Sequence, residues 1–236
     1  MSSEMKICVM QPYFFPYLGY WQMISAVDSF VIFDDVNYIN KGWINRNNIL
    51  VNGQAWMFTL PLDKASQNKL INEIELGGEP KAREKILRTI QMSYKKAPFY
   101  DVVYPLVEKA FLNPQKNLAL FLKYHFESVF DFLDIKTKII LSSDVEKDNS
   151  LKGQDKILQI CRKLDCDTYI NAIGGQELYS YDAFERQNMQ LRFIKMKPVE
   201  YPQFKNTFVP FLSFIDVMMF NDKARIKDLL LQYDLI

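Results

Sequence analysis

Residues 6–35 constrain this chain more than any other stretch. Lys6 to Met10 is a short apolar run. A loop with Pro12, Pro16 and the aromatics Tyr13, Phe14, Phe15 and Tyr17 follows, and a helical pattern runs from Pro16 to Val27. A second apolar run, Phe30 to Phe33, ends on Asp34 and Asp35. Strand, loop, helix, strand is a βαβ unit, which places both strands parallel in an open sheet. Ligands bind such sheets at the carboxyl ends of the strands. Gln11, Tyr13, Tyr17, Tyr20, Asp34 and Asp35 fall near that edge.

Asn37 to Asn48 is rich in aromatics and amides, and Ile49 to Leu60 reads as a hairpin turned at Val51-Asn52-Gly53-Gln54. Lys64 to Lys69 is a polar loop, and Ile71 to Leu76 fits a strand. Three helical patterns follow: Pro80 to about Lys96, Phe99 to Leu112, and Pro114 to about Phe132, broken at Ala97-Pro98 and Asn113-Pro114. Alternation then resumes. Strands are expected at Thr137–Leu141, Thr168–Asn171 and Gln190–Ile194, helices at Gly153–Leu164 and Leu178–Gln187, and a helical tail from Phe211. The expected architecture is one α/β domain over residues 1–236, with a Rossmann-like parallel sheet and a helical insertion at 80–132.

At 49% hydrophobic and 24% charged, the chain can bury a substantial core. A net charge of +1 points to neither nucleic acid nor acidic lipid, and only 8 glycines argue against a glycine-rich cofactor loop. Cys8, Cys161 and Cys166 have no metal-ligand spacing and read as buried reduced thiols, so no metal is expected. Met1 to Met5 does not resemble a signal peptide, and no apolar run approaches the ~20 residues of a membrane span. These features predict a cytoplasmic protein without a membrane partner; a homodimer is compatible with the composition.

Two resemblances follow from the motifs. Phe15-Pro16-Tyr17-Leu18-Gly19-Tyr20 resembles the H-x-G-H loop of the nucleotidyltransferase and class I synthetase-like superfamily, with tyrosines at both histidine positions. Tyrosine cannot supply imidazolium charge near neutral pH, so the resemblance implies a shared architecture with adenylation lost. The chain also resembles the WbqC-like family of bacterial proteins. That likeness rests on Gln11 to Gln22, Phe33-Asp34-Asp35-Val36, Lys41-Gly42-Trp43-Ile44-Asn45-Arg46-Asn47 and Leu60-Pro61. It continues through Tyr94, Ala97 to Tyr100, Ser142-Ser143, Tyr169-Ile170, Gly174-Gly175, Tyr201-Pro202-Gln203, Leu212-Ser213 and Asp216. Members are often encoded among genes for O-antigen and other surface-polysaccharide sugars. The resemblance implies a transferase acting on a nucleotide-linked amino sugar in lipopolysaccharide biosynthesis, moving an acyl or aminoacyl group to the sugar amine. An acyl-carrier thioester or an aminoacyl ester would be the donor.

Such transfer needs a deprotonated amine. Asp35, Asp34 and His125 are the candidate bases, although adjacent strand residues face opposite ways, so at most one aspartate should point into a site. A cap or surface ion pair is the alternative for the aspartates, and helix packing beside Phe121, Tyr124 and Val129 for His125. Tyr13, Tyr17 and Tyr20 could bind sugar or phosphate oxygens, or merely pack the first helix. Lys41 and Arg46 could clamp a diphosphate, Trp43 could stack a base or sugar, and Asn47 could hydrogen-bond it; a solvated basic loop is the alternative. Gln11, Ser142, Ser143, Gly174, Gly175 and Gln203, with Lys152-Gly153 and Lys156 at a helix start, complete a polar rim. An adenylating ligase, and a non-catalytic nucleotide-sugar binding protein, are the competing functions.

Overall fold

The computed structural model describes residues 4–78 and 80–236. β1 (Lys6–Met10), α1 (Leu18–Ser25) and β2 (Ser29–Ile32) form the expected parallel unit, with Ile7 opposite Ser29 and Met10 opposite Ile32. α1 begins two residues later than the periodicity suggests, because Tyr17 is extended (φ −64°, ψ 165°) and stays in the loop. β3 (Arg46–Val51) and β4 (Gln54–Thr59) make the predicted hairpin. Its turn places Asn52 at φ 51° and Gly53 at φ 75°, the paired left-handed backbone that Asn-Gly accepts at low cost.

A strand at Ile71–Leu76 is only partly formed. β5 (Leu62–Asp63) pairs antiparallel with a two-residue β6 (Glu75–Leu76), while Ile71–Glu73 is a 3-10 turn. The Ile71 and Asn72 N–H groups donate to the Val36 and Asp34 carbonyls, so this segment closes the loop after β2 instead of extending a ladder. Three helices follow: α2 (Pro80–Tyr94), α3 (Tyr100–Phe111) and α4 (Leu118–Leu133). Their inward residues, among them Ile90, Val107, Phe121 and Phe126, belong to the same apolar cluster as Trp21 of α1 and Ile32 of β2. Among the described residues they thus form a layer on the common core.

β7 (Lys138–Leu141), α5 (Gly153–Lys163), β8 (Thr168–Ala172), α6 (Tyr181–Glu185) and β9 (Gln190–Met196) restore the alternation. α6 is shorter than expected because Ile173–Leu178 winds as a 3-10 turn. α7 (Phe214–Phe220) and α8 (Lys223–Leu230) fulfil the helical tail, but β10 (Tyr233–Leu235) then adds an antiparallel edge strand beside β9. The tail pattern is too short to announce that strand.

The central sheet runs β10-β9-β8-β1-β2-β7, and every pair except β9–β10 is parallel. The chain builds outward from β1 to β7, then crosses back to lay β8 on the other side of β1. Strand order therefore reverses between β1 and β8, which opens a crevice at their carboxyl ends. Alternate residues face opposite layers: Cys8, Phe30 and Ile32 meet the helical layer of α1, α4 and α7, whereas Ile7, Val9 and Val31 meet α5 and α6. All three cysteines are free and buried, and no helix among the described residues is long and apolar enough to cross a membrane.

The hairpin offers a direct test. A Cβ at Gly53 would lie 3.0 Å from Asn206 Oδ1, on a backbone that L-residues avoid. Gly53→Ala is expected to lower unfolding free energy by about 1–2 kcal/mol in urea titration, whereas Gly174→Ala, which meets nothing within 4 Å, should cost less than that.

Candidate functional site

The loop between β1 and α1 is caged by hydrogen bonds. Phe15 is held at φ 44°, a conformation that costs a bulky residue about 1–3 kcal/mol, so its surroundings must enforce it. Its N–H donates to His125 Nε2 (3.1 Å). Its carbonyl accepts from Asn47 Nδ2 (2.6 Å), Ser213 Oγ (2.9 Å) and the Phe214 N–H (3.2 Å). The Phe14 N–H donates to the Ile44 carbonyl, the Phe14 carbonyl accepts from Asn47, and the Pro16 carbonyl accepts from Trp21 Nε1. Buried backbone groups need such partners. Phe14 and Phe15 are thereby driven into the core, and Tyr13 and Tyr17 are left half-buried on either side.

These two tyrosines, with Pro16, Trp43, Asn48 and Phe211, line a cavity of about 350 Å³. Neither the Tyr13 nor the Tyr17 hydroxyl has a protein partner among the described residues. Burial raises both phenols, so at neutral pH they stay protonated and can donate. Trp43 is 43% exposed and the Arg46 guanidinium lies 5.6 Å from its ring. Arg46 donates from Nε to the Gly42 carbonyl (2.8 Å) and from a terminal nitrogen to the Lys41 carbonyl. It therefore closes its own loop, with Lys41 at φ 60°, and fixes the indole at the cavity mouth. Lys41 is exposed. The result is an aromatic slot with free hydroxyl donors, whose Trp43 wall carries the Arg46 guanidinium on its ring.

The remaining expected site residues are engaged elsewhere. Asp34 is buried and accepts from the Ser143 N–H (2.9 Å), Ser143 Oγ (2.6 Å) and Asn72 Nδ2 (3.2 Å), so Asp34 and Ser143 tie the loops after β2 and β7. Asp35 pairs with Lys147 (2.8 Å) and Lys156 (3.2 Å), all three buried. Burial pushes its carboxyl up, but hydrogen bonding from Lys147 and Ser142 and the charge of both lysines outweigh it and hold it below the ordinary 3.8. That makes Asp35 a weaker base than a free carboxylate. Ser142 is buried and its carbonyl accepts from Lys147. Lys156 also donates to the Asp35 carbonyl and lies 5.6 Å from the Phe33 ring, so it serves the same knot and not the rim.

His125 is fully buried, and burial lowers it to about 3. With Nε2 accepting from Phe15, the proton sits on Nδ1, facing the Leu122 carbonyl without a well-formed bond. A neutral ring packed against Phe14, Phe15 and Phe126 is a structural acceptor, not a base that reaches the cavity. Tyr20 is buried and donates to the Gln11 carbonyl (2.6 Å). Asn47 spends its amide on Phe14, Phe15 and the Asn48 N–H. Gln203 is saturated by Asp216 and both backbone groups of Val209. Gly175 leaves room for Asn171, whose Oδ1 would stand 2.9 Å from an added Cβ; Gly174 is open to solvent. Of the predicted set, Tyr13, Tyr17, Trp43 and Asn47 line the cavity, the last with its amide already engaged. Arg46 reaches it through the Trp43 ring, Lys41 stands exposed in the same loop, and half-buried Gln11 adjoins the tyrosine loop.

Sequence reasoning assigned no role to Ser213, Asp216, Lys147 or Phe211. Ser213 and Asp216 stand in motifs, but a motif does not reveal that Ser213 caps α7 while gripping Phe15. Asp216 accepts from Tyr94 (2.7 Å), Tyr201 (2.8 Å) and Gln203 (2.7 Å). Burial raises it to about 6 despite these donors.

His125 and Asp216 titrate with opposite consequences. Unfolded His125 takes a proton below its ordinary 6.5 and the folded ring does not until about 3, so its contribution is present above pH 6.5 and declines on acidification. Folded Asp216 takes a proton near 6 and the unfolded carboxylate only near 3.8, so its contribution grows as pH falls through that window, by about 3 kcal/mol in all. Wild-type stability should thus change little between pH 6 and 4. His125→Gln should be less stable at pH 7 yet gain stability over that interval; a flat profile in this variant would contradict the assignment. Asp35→Ala, which strands two buried ammonium groups, should cost about 3–5 kcal/mol in urea unfolding at pH 7.

The model of the WbqC-like protein family matches residues 11–228. An uncharacterized protein of Mycobacterium tuberculosis (strain ATCC 25618 / H37Rv), Rv1507c, is 23% identical over 228 residues, covering 95% of this chain and 97% of that protein. No solved structure matches. The family match spans both faces of the sheet, the caged loop and the Asp216 network, and on it the chain belongs to the WbqC-like protein family.

Proposed function

We propose that the protein is a transferase that moves an acyl group to the amine of a nucleotide-linked amino sugar in surface-polysaccharide biosynthesis. The observation that carries this reading is the slot formed by Tyr13, Tyr17 and Trp43, with Arg46 over the Trp43 ring and Lys41 exposed in the same loop. Flat rings with hydroxyl donors suit a sugar or nucleobase face, and adjacent cations suit a diphosphate. The family resemblance supplies the amino-sugar context. We further read the strand order, reversing at β1 and β8, as Rossmann-type.

The neutral sugar amine attacks the donor carbonyl, and the chain's contribution is to hold the two partners in register. None of Asp34, Asp35 and His125 has a free basic atom facing the slot, so the nitrogen loses its proton to solvent or the leaving group. Adenylation is disfavoured by Tyr20, which occupies a histidine position of the nucleotidyltransferase loop and spends its hydroxyl on Gln11.

A thermal-shift screen tests the reading. A dTDP- or UDP-linked amino sugar should raise the melting temperature by mass action, and Trp43→Ala should weaken that binding roughly tenfold. Transfer should then be seen as a mass increase of one acyl group on the sugar, with a rate that follows the ionisation of the sugar amine. Stabilisation by ATP and magnesium alone would overturn the proposal.

A further inference from the structure

The slot does not end at Phe211. On the far side of Tyr17 and Phe211 lies a second cavity of about 440 Å³, and the two share Tyr17, Pro210, Phe211 and Leu212 as a common wall. Leu18, Met196, Val199, Phe208 and Val217 make up much of the remaining lining. Tyr201 contributes its ring, while its hydroxyl is committed to Asp216. Lys197 and Glu200 are exposed and stand at the rim. Most of the lining is aliphatic or aromatic, with the Tyr17 hydroxyl as a free donor on the shared wall, so a charged head placed deep inside would be poorly compensated.

The divider is unusual. Phe211 is 65% exposed, sits at φ 57° and places its ring 6.1 Å from that of Tyr17. Its backbone is fixed from the next two residues: Leu212 is buried, and Ser213 donates from N–H to the Asn48 carbonyl (2.7 Å) and from Oγ to Phe15. A large apolar ring is thus kept at the surface, on a disfavoured backbone, between two adjoining cavities.

We propose that the second cavity binds the apolar body of the acyl donor, an acyl thioester, with Phe211 setting the boundary between donor and acceptor. This rests on the transferase reading and selects its donor. An aminoacyl ester would bring an α-ammonium group against a mostly apolar lining whose carboxylate, Glu200, stands exposed at the rim. At the divide, the sugar nitrogen forms a bond to the thioester carbonyl carbon, the carbon–sulfur bond breaks, and the thiolate leaves with the proton that the nitrogen loses.

The test measures binding of acetyl-, butyryl-, hexanoyl- and octanoyl-pantetheine to the full chain by calorimetry, alongside the amino-sugar thermal shift. Affinity should rise at least tenfold from acetyl to hexanoyl. Val199→Phe, which fills the chamber from a loop, should erase that gain while leaving the ligand-free melting temperature near wild type. Phe211→Ala, at an exposed position, should blunt the discrimination between chain lengths. Chain-length-independent binding, no binding of any thioester, or a gain untouched by both variants would overturn the proposal. If amino sugars still stabilise the protein in that case, the transferase reading survives alone. A chain-length gain lost in Val199→Phe, without any response to amino sugars, would support the acyl chamber and overturn the acceptor.

Discussion

Phe15 is the residue on which the site depends. A phenylalanine at φ 44° is stable only because side chains and backbone from α4, β3 and α7 converge on its two peptide groups. The same grip turns Phe14 and Phe15 inward, where Phe111, Phe121 and His125 surround them, and turns Tyr13 and Tyr17 toward the cavity. One strained turn therefore couples the aromatic core to the surface that meets a ligand. Its partners come from residues as far apart as Asn47, His125 and Ser213, so the slot cannot be assembled before the helical layer has docked.

The polar residues of the interior divide by the same logic. Three buried knots, around Asp34, Asp35 and Asp216, each join segments distant in sequence. Asp34 and Asp35 are adjacent in the loop past β2, yet they serve different partners. One takes the Ser143 and Asn72 side of the edge, the other the α5 side. Asp35, held between two ammonium groups, is weakly basic, which suits anchoring a rim more than moving protons. The rim is thus held by charged and amide residues, and the slot it frames is presented by aromatic ones.

Much of the fold was legible in the chain. The apolar runs at Lys6–Met10 and Phe30–Phe33 and the helix between them gave the parallel unit, Asn52-Gly53 gave the hairpin, and Pro98 and Pro114 marked the breaks between the three helices. These are local signals, set by side-chain period and by the backbone limits of glycine and proline. The departures came where a distant segment claimed the backbone: Ile71 and Asn72 pair with the loop after β2, and Tyr233–Leu235 finds an edge beside β9. Of the candidate site, Tyr13, Tyr17, Trp43, Arg46 and Lys41 were recognisable by type and by their position after a strand.

By itself the sequence determined that the chain would form an alternating α/β sheet and that its aromatic, polar loops would gather at one edge, because strand and helix period and turn chemistry act over a few residues. Which polar side chains at that edge remain free for a ligand was decided only by the tertiary structure. Asn47, His125, Gln203 and Ser143 have the chemistry of binding residues, but each is consumed by a buried group brought to it from elsewhere in the chain. A hydrogen-bonding side chain satisfied inside the protein has no capacity left for a substrate, and the partner that satisfies it is not encoded in its neighbours.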